Sequence, residues 1–152
     1  MSAKETLIKK LKEKNAKVAI LGLGYVGLPL AVVFGEAGFH VTGVDPDKRK
    51  IDALNEGKSY IPDVHTDKVA ALVKAGKFTS TTDFSVLKDM DAVSICVPTP
   101  LRQTGDPDMS YIISAMEELN KYMHKGMVGG THVRSIPGEK GRLEAVTSLL
   151  PF

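Results

Sequence analysis

Apolar and polar positions along the chain follow two different periods, which divide it into strands and helices. Short apolar runs bounded by turn residues predict strands buried on both faces of a sheet. Stretches with apolar residues three or four positions apart predict helices instead. Strands are predicted at 18–21, 41–44, 78–82, 91–97 and, more weakly, 127–133, and helices at 28–34, 47–55, 69–74 and 109–124.

The first fifteen residues are rich in lysine and carry Leu7, Ile8 and Leu11 at helical spacing. This pattern predicts an amphipathic lead-in helix over 1–15 that packs against the rest of the molecule or frays. A helix lying on a membrane surface is the alternative, but three apolar residues are few for that role. We therefore expect no membrane contact.

Strands and helices alternate from residue 16 to residue 128, which predicts a parallel sheet covered by helices on both faces. Right-handed crossovers restrict such a sheet to a doubly wound topology. The predicted fold class is therefore α/β, a doubly wound parallel sheet of the Rossmann type, forming a single domain over 16–128.

A glycine pattern joins the first predicted strand to the helix after it. Gly22, Gly24 and Gly27 have the spacing G-x-G-x-x-G, which alone is weak evidence because glycines also serve ordinary turns. Here the pattern ends a buried strand and opens a helix, a context typical of dinucleotide binding. In that role Gly22 permits the sharp turn, Gly24 lets a pyrophosphate approach, and Gly27 lets the helix pack closely. The N–H groups at the helix N-terminus favour phosphate.

An acid closes the second predicted strand. Asp45 lies 23 residues after Gly22, close to the spacing of the acid that binds the adenosine ribose hydroxyls. A carboxylate there would repel a 2′-phosphate, which favours NAD over NADP. The neighbouring cations Lys48, Arg49 and Lys50 could receive such a phosphate or form a solvated helix face. Helix N-capping by Asp45 is the structural alternative, and both roles can hold together.

Composition narrows the class of protein and its cellular compartment, but it does not indicate a reaction. The 152 residues are 43% hydrophobic and 25% charged with a net charge of +2, which indicates a globular protein without affinity for nucleic acid. No signal peptide or bilayer-length apolar stretch is evident, so we expect a cytoplasmic protein. The single cysteine, Cys96, excludes an internal disulfide and agrees with that compartment.

The residues suggest no catalytic or metal-binding group. Neither an H-E-x-x-H motif nor a cysteine pair indicates a metal. Cys96 falls in a predicted buried strand, where cysteine is usually an inert hydrophobe. The histidines lie at a strand start, in a loop, at a helix end and in a weakly patterned tail: His40, His65, His124 and His132. From the residues alone, the prediction stops at an NAD-binding domain.

Four separated segments resemble the UDP-glucose/GDP-mannose dehydrogenase family. They are residues 18–31, 43–45, 96–100 and 106–111, in consistent order within 16–126. Loop 57–63 and the lead-in helix are most similar to the branch that oxidises UDP-N-acetylhexosamines, above all UDP-N-acetylglucosamine. The resemblance implies the NAD-binding domain of an enzyme that oxidises a sugar C6 alcohol to a carboxylate, with two hydride transfers to two NAD molecules.

The resemblance also implies roles for single residues at the ends of three strands. Beside Gly22, the implied cofactor-binding residues are Gly24, Tyr25, Val26 and Gly27 for the pyrophosphate, Asp45 for the ribose, Lys50 for the adenosine end, and Val97, Pro98 and Thr99 for the adenosine and nicotinamide side. For Pro98 and Thr99, an ordinary strand-ending turn is the alternative.

The chain departs from the family in two places. The family's catalytic cysteine, with its lysine and asparagine partners, belongs to a later domain without a counterpart here, so we expect UDP-sugar binding only with that domain. Gly129 and Gly130 stand where the family has strand formers, and its acid and Ser-Thr pair are out of register. We therefore treat 129–152 as an atypical tail, with truncation or a one-nucleotide frameshift as the hypothesis for it.

Three functions follow from the sequence. The first is the cofactor domain of a UDP-N-acetylhexosamine 6-dehydrogenase, inactive alone. The second is a stand-alone NAD-sensing module. The third is a hydroxyacid or hydroxyacyl dehydrogenase, which residues 28–30 and 97–100 disfavour. Neighbouring polysaccharide-synthesis genes would favour the first and transporter genes the second. The sugar, a homo-oligomeric state and a partner chain that supplies the catalytic domain stay open.

Overall fold

A computed structural model describes residues 2–131 as a five-stranded parallel sheet flanked by helices. The strands are β1 Lys17–Leu21, β2 His40–Val44, β3 Phe78–Thr81, β4 Ala92–Ile95 and β5 Val128–Thr131. The helices are α1 Ala3–Lys12, α2 Gly27–Glu36, α3 Lys48–Asn55, α4 Thr66–Lys74 and α5 Ser110–Tyr122, with a 3₁₀ helix at Phe84–Asp89. The strand order β3-β2-β1-β4-β5 confirms the predicted doubly wound α/β fold.

The core lies on both faces of the sheet because the side chains of β1 alternate between them. Val18 and Ile20 pack into the cluster under α2, α3 and α4, whereas Ala19 and Leu21 pack into the cluster under α5 and the 3₁₀ helix. All four are almost completely buried, as predicted for a strand covered on both faces. The carboxyl end of β1 is thereby fixed at the centre of the molecule.

Several element ends differ from those predicted. Strand β4 stops at Ile95 instead of 97, although the Cys96 N–H still donates to the Leu21 carbonyl at 2.7 Å. The 3₁₀ helix at Phe84–Asp89 was not predicted. Strand β5 runs to Thr131, so the sheet extends beyond the predicted domain end at 128 and includes the first residues assigned to the tail. The rest of that tail, with the frameshift hypothesis, lies outside the described residues.

Helix α1 packs at the amino ends of β1 and β4. Its Lys10 ammonium lies 2.7 Å from Asp91 Oδ1, and the backbone N–H of Lys17 donates to Asp91 Oδ2 at 2.9 Å. Burial alone would raise the pKa of the Asp91 carboxyl, but these hydrogen bonds and the positive charges of Lys10 and Lys17 together outweigh burial and lower that pKa. Within residues 2–131, none of the helices has the length and apolar character needed to cross a membrane.

Candidate cofactor site

A cleft of about 540 Å³ opens at the carboxyl ends of the strands, where the strand order reverses beside β1. Ligands of open α/β sheets bind at this switch point. Residues from three strand ends and one loop line it: Gly22, Leu23, Gly24, Tyr25, Val26, Asp45, Lys50, Tyr60, Ile61, Cys96, Val97, Pro98, Thr99 and Pro100. Every residue predicted to bind the cofactor lies there except Gly27, which is buried behind the turn.

The three glycines of the turn are there for different physical reasons. Gly22 has a φ of +90°, and an added Cβ would lie 2.8 Å from the Cys96 carbonyl oxygen. An added Cβ on Gly27 would lie only 1.7 Å from the Gly22 carbonyl oxygen. The fold itself therefore requires both of these glycines.

Gly24 is different because the fold does not require it. A Cβ added there would meet no atom of residues 2–131 within 4 Å, and the φ of Gly24 is outside the left-handed region. Its missing side chain instead leaves open space along the cleft, which a Cβ would fill. This gap fits a group that approaches the backbone closely, as the pyrophosphate of a dinucleotide does.

The N-terminus of α2 faces this gap. The helix begins at Gly27 behind Val26, no side chain caps it, and its first turn contains no acid. In the first turn of α2 the Leu28 N–H donates to the Gly24 carbonyl at 3.1 Å and Pro29 has no N–H, so the donors that the site offers are the backbone N–H groups that precede Leu28. The helix dipole makes this end positive. The site therefore offers donors and positive potential where a diphosphate would lie.

Asp45 is anchored at the end of β2 and is only 5% exposed. Its Oδ2 accepts the Leu23 N–H at 2.9 Å, and its Oδ1 accepts the Asp47 N–H at 2.8 Å. The Lys50 ammonium lies 3.6 Å from Oδ2. Each carboxylate oxygen can accept more than one hydrogen bond, so Asp45 keeps acceptor capacity for ribose hydroxyls at the cleft wall.

The structure corrects the alternative role considered for Asp45. Asp47 is the N-cap of α3, because its side chain accepts the Arg49 N–H. The cation cluster also separates: Arg49 pairs with Asp47, Lys48 pairs with Asp52 on the exposed face, and Lys50 alone lines the cleft. One cation, rather than three, is therefore placed next to the acid.

The sequence missed several lining residues, of which Tyr60 is the most polar. Its hydroxyl donates a hydrogen bond to the Leu23 carbonyl. Burial raises the pKa of the Tyr60 hydroxyl well above its usual range, and the charges of Asp45 and Asp47 add to the rise. The sequence of loop 57–63 indicates only a resemblance to one branch of the family, and its spacing does not predict that the loop reaches the cleft.

The surroundings of Cys96, His40 and His124 agree with the prediction that none of them is catalytic. Cys96 is 5% exposed, and burial raises the pKa of its thiol, which disfavours the reactive thiolate. His40 Nδ1 lies 3.4 Å from the Gly76 carbonyl oxygen, and His124 Nε2 lies 2.9 Å from that of Met90. Neither histidine lines the cleft, whereas Cys96 does so from a buried position.

Fold and cleft together define a dinucleotide-binding α/β domain. The sequence profile of the UDP-glucose/GDP-mannose dehydrogenase family, NAD binding domain, matches residues 16–133. The chain belongs to this family, and the matched part is its NAD-binding domain. The predicted family and the predicted cofactor, NAD, are thus confirmed.

Individual relatives agree with the family match. The chain is 35% identical over 111 residues to the UDP-N-acetyl-D-mannosamine dehydrogenase of Pyrococcus horikoshii, covering 72% of this chain and 26% of that protein. It is 37% identical over 105 residues to the GDP-mannose 6-dehydrogenase of Pseudomonas syringae, covering 68% and 24%. The crystal structure of an NDP-N-acetyl-D-galactosaminuronic acid dehydrogenase from Methanosarcina mazei has a TM-score of 0.73 at 36% identity, covering 91% and 31%. The chain thus spans about a quarter of the length of these curated relatives.

Proposed function

We propose that this chain is the cofactor domain of a nucleotide-sugar 6-dehydrogenase and that it binds NAD in the cleft at the end of β1. The observation that carries the proposal is the open space at Gly24, next to an uncapped helix N-terminus and an anchored acid. Together they provide a place for a diphosphate and an acceptor for the neighbouring ribose. We assign this domain to the chain from residue 16 onward, with α1 as its lead-in helix.

Each part of the cleft has a distinct role in this proposal. The backbone of Gly24, Tyr25 and Val26 receives the pyrophosphate, with Gly22 and Gly27 shaping the turn. Asp45 accepts the ribose hydroxyls, and Lys50 lies beside it toward the adenosine end. Residues 97–99, at the end of β4, form the opposite wall. NAD supplies the hydride acceptor when bound, and these residues hold and orient it.

The sugar is the finer part of the proposal. We favour a UDP-N-acetylhexosamine, with UDP-N-acetylglucosamine first, because of the sequence of loop 57–63. The names of the relatives refer instead to mannosamine, mannose and galactosaminuronic acid sugars. The family resemblance implies that the catalytic cysteine belongs to a later domain, and the one cysteine of this chain is buried, which raises the pKa of its thiol. We expect this chain to form no NADH with UDP-sugars, and steady turnover would contradict that expectation.

Titration of the purified chain with NAD and NADP tests the cofactor assignment. We expect NAD to bind about tenfold more tightly, since one desolvated like-charge contact with a 2′-phosphate is worth about 1.4 kcal/mol or more. Asp45→Asn removes that repulsion and should bring the two affinities closer together. Asp52→Asn is the matched control, because Asp52 lies on the exposed face of α3 and pairs with Lys48. Equal affinity of the unmodified chain for both cofactors, or none for either, would contradict the proposal.

A further inference from the structure

We infer that Tyr60 is a positioning residue for the diphosphate of NAD and acts through the peptide bond between Leu23 and Gly24. The inference rests on the proposed function and assigns a task to loop 57–63 that its sequence did not indicate. Tyr60 lines the cleft beside Asp45, and its hydroxyl donates to the Leu23 carbonyl. The loop that resembles one sugar-specific branch of the family therefore contacts the cofactor cleft.

Leu23 is held from both ends of its backbone. Its N–H donates to Asp45 Oδ2 at 2.9 Å, and its carbonyl accepts from Tyr60. Its side chain is completely buried. Rotation of this residue would break at least one of these hydrogen bonds or expose the side chain, so the orientation of the middle of the glycine turn is fixed.

The Leu23 carbonyl and the Gly24 N–H belong to the same peptide group. Such a group is planar, and in a trans peptide the C=O and the N–H point in opposite directions. Within residues 2–131 every peptide bond is trans. By fixing the direction of the carbonyl, Tyr60 also fixes that of the Gly24 N–H and the start of the backbone that leads to Tyr25 and Val26.

Tyr60 itself is held by a rigid loop. Ile61 and Val64, which follow it, are each 6% exposed and belong to the core. The Ser59 hydroxyl oxygen accepts the Ile61 N–H at 3.2 Å. Gly57 has a φ of +75° and packs so closely on α4 that an added Cβ would lie 3.1 Å from the Ala70 Cα. The hydroxyl is thus in place before any ligand arrives, which lowers the entropic cost of binding.

The hydroxyl also keeps its proton. Burial of the ring raises its pKa well above the usual range, and the nearby charges of Asp45 and Asp47 act in the same direction. Tyr60 therefore remains a hydrogen-bond donor at neutral and moderately alkaline pH.

Tyr60→Phe tests the inference, because it removes the hydroxyl and keeps the ring. We expect the Kd for NAD to rise about fivefold to tenfold, the typical net effect of one hydrogen bond. The Kd for adenosine, which has no phosphate, should change less than about twofold. A merely structural role would weaken both ligands alike. Tyr111→Phe is the matched control, because Tyr111 lies half exposed on α5 and outside the cleft.

A nuclear magnetic resonance spectrum of the ligand-free chain gives an independent measurement. The Gly24 amide signal should shift in Tyr60→Phe and stay in place in Tyr111→Phe. If Tyr60→Phe does not fold, Ser59→Ala is the second variant, because it removes the hydrogen bond to the Ile61 N–H and keeps the Tyr60 hydroxyl. We then expect a smaller loss of affinity for NAD and no loss of affinity for adenosine.

The possible results separate the two proposals. If the unmodified chain does not bind NAD, the proposed function is wrong and the role of Tyr60 falls with it. If the chain binds NAD but the variant binds it equally well with an unshifted Gly24 signal, the role of Tyr60 alone is overturned.

Discussion

One glycine-rich segment forms the turn after β1, and another lies within strand β5. In the first, Gly22 and Gly27 cannot carry a Cβ without colliding with backbone atoms. In the second, a Cβ on Gly129 would lie 3.4 Å from a methyl group of Leu119, and one on Gly130 would meet no atom within 4 Å among the residues that the structure describes. The comparison teaches that the same residue type can be a steric necessity in one place and dispensable in another.

Gly24 belongs to neither case. It shares open surroundings with Gly130, yet it lies in a cleft beside an uncapped helix N-terminus. Gly130 pairs with Ser94 in the parallel register of β4 and β5 and is not among the residues that line the cleft. Steric surroundings identify the glycines required by the fold, and only the neighbouring chemistry separates a ligand-binding glycine from an incidental one.

Gly27→Ala should have the largest effect. Its Cβ would lie 1.7 Å from a backbone oxygen that cannot move without disturbing β1, so we expect the free energy of unfolding to fall by about 3 kcal/mol or more. Urea denaturation followed by circular dichroism measures this. Gly35→Ala is the control within the same helix, because the atoms nearest to its Cβ would belong to the flexible Leu72 side chain rather than to the backbone. A loss below about 1 kcal/mol for Gly27→Ala would show that the turn adapts.

Gly24→Ala should affect binding without affecting folding. The free energy of unfolding should stay within about 0.5 kcal/mol, because the new methyl group meets nothing. The affinity for NAD should fall about tenfold or more, because the methyl group occupies the space where the pyrophosphate approaches. Calorimetric titration measures the affinity. Unchanged NAD binding would place Gly24 with Gly130 as a glycine that nothing requires.

Gly130→Val should have the smallest effect. The position lies in a strand with open space for a side chain, and glycine in a strand costs about 0.5–1 kcal/mol. We therefore expect the free energy of unfolding to rise by up to about 1 kcal/mol, with NAD affinity unchanged. Thermal denaturation and the same titration check both. A marked destabilisation would mean that β5 needs its glycines for a contact beyond residues 2–131.

The order of strands and helices was predictable because each buried strand is a short apolar run and turn residues separate the elements. The 3₁₀ helix at Phe84–Asp89 escaped prediction because its two turns are too short to leave a periodic pattern. Spacing alone could not show which of two close acids, Asp45 and Asp47, caps helix α3. Their hydrogen bonds divide these positions.

The residues predicted to bind the cofactor come together in one cleft, apart from Gly27 behind it, because parallel strands present their carboxyl ends at one edge. Tyr60 could not be predicted, since it reaches the cleft from a loop whose path depends on the packing of Ile61 and Val64. Local patterns thus predict the parts of the site that follow strands, and tertiary packing determines the rest.

The ion pair between Lys10 and Asp91 has a practical consequence. It fixes α1 beside the residue that precedes β4, at the amino ends of the strands, whereas the cleft opens at their carboxyl ends. A biotin tag or fluorophore attached ahead of α1 would therefore lie toward the amino ends of the strands, at the opposite end of the sheet from the cleft. The domain can thus be immobilised on a sensor surface through its N-terminal end, with the cleft facing the solution.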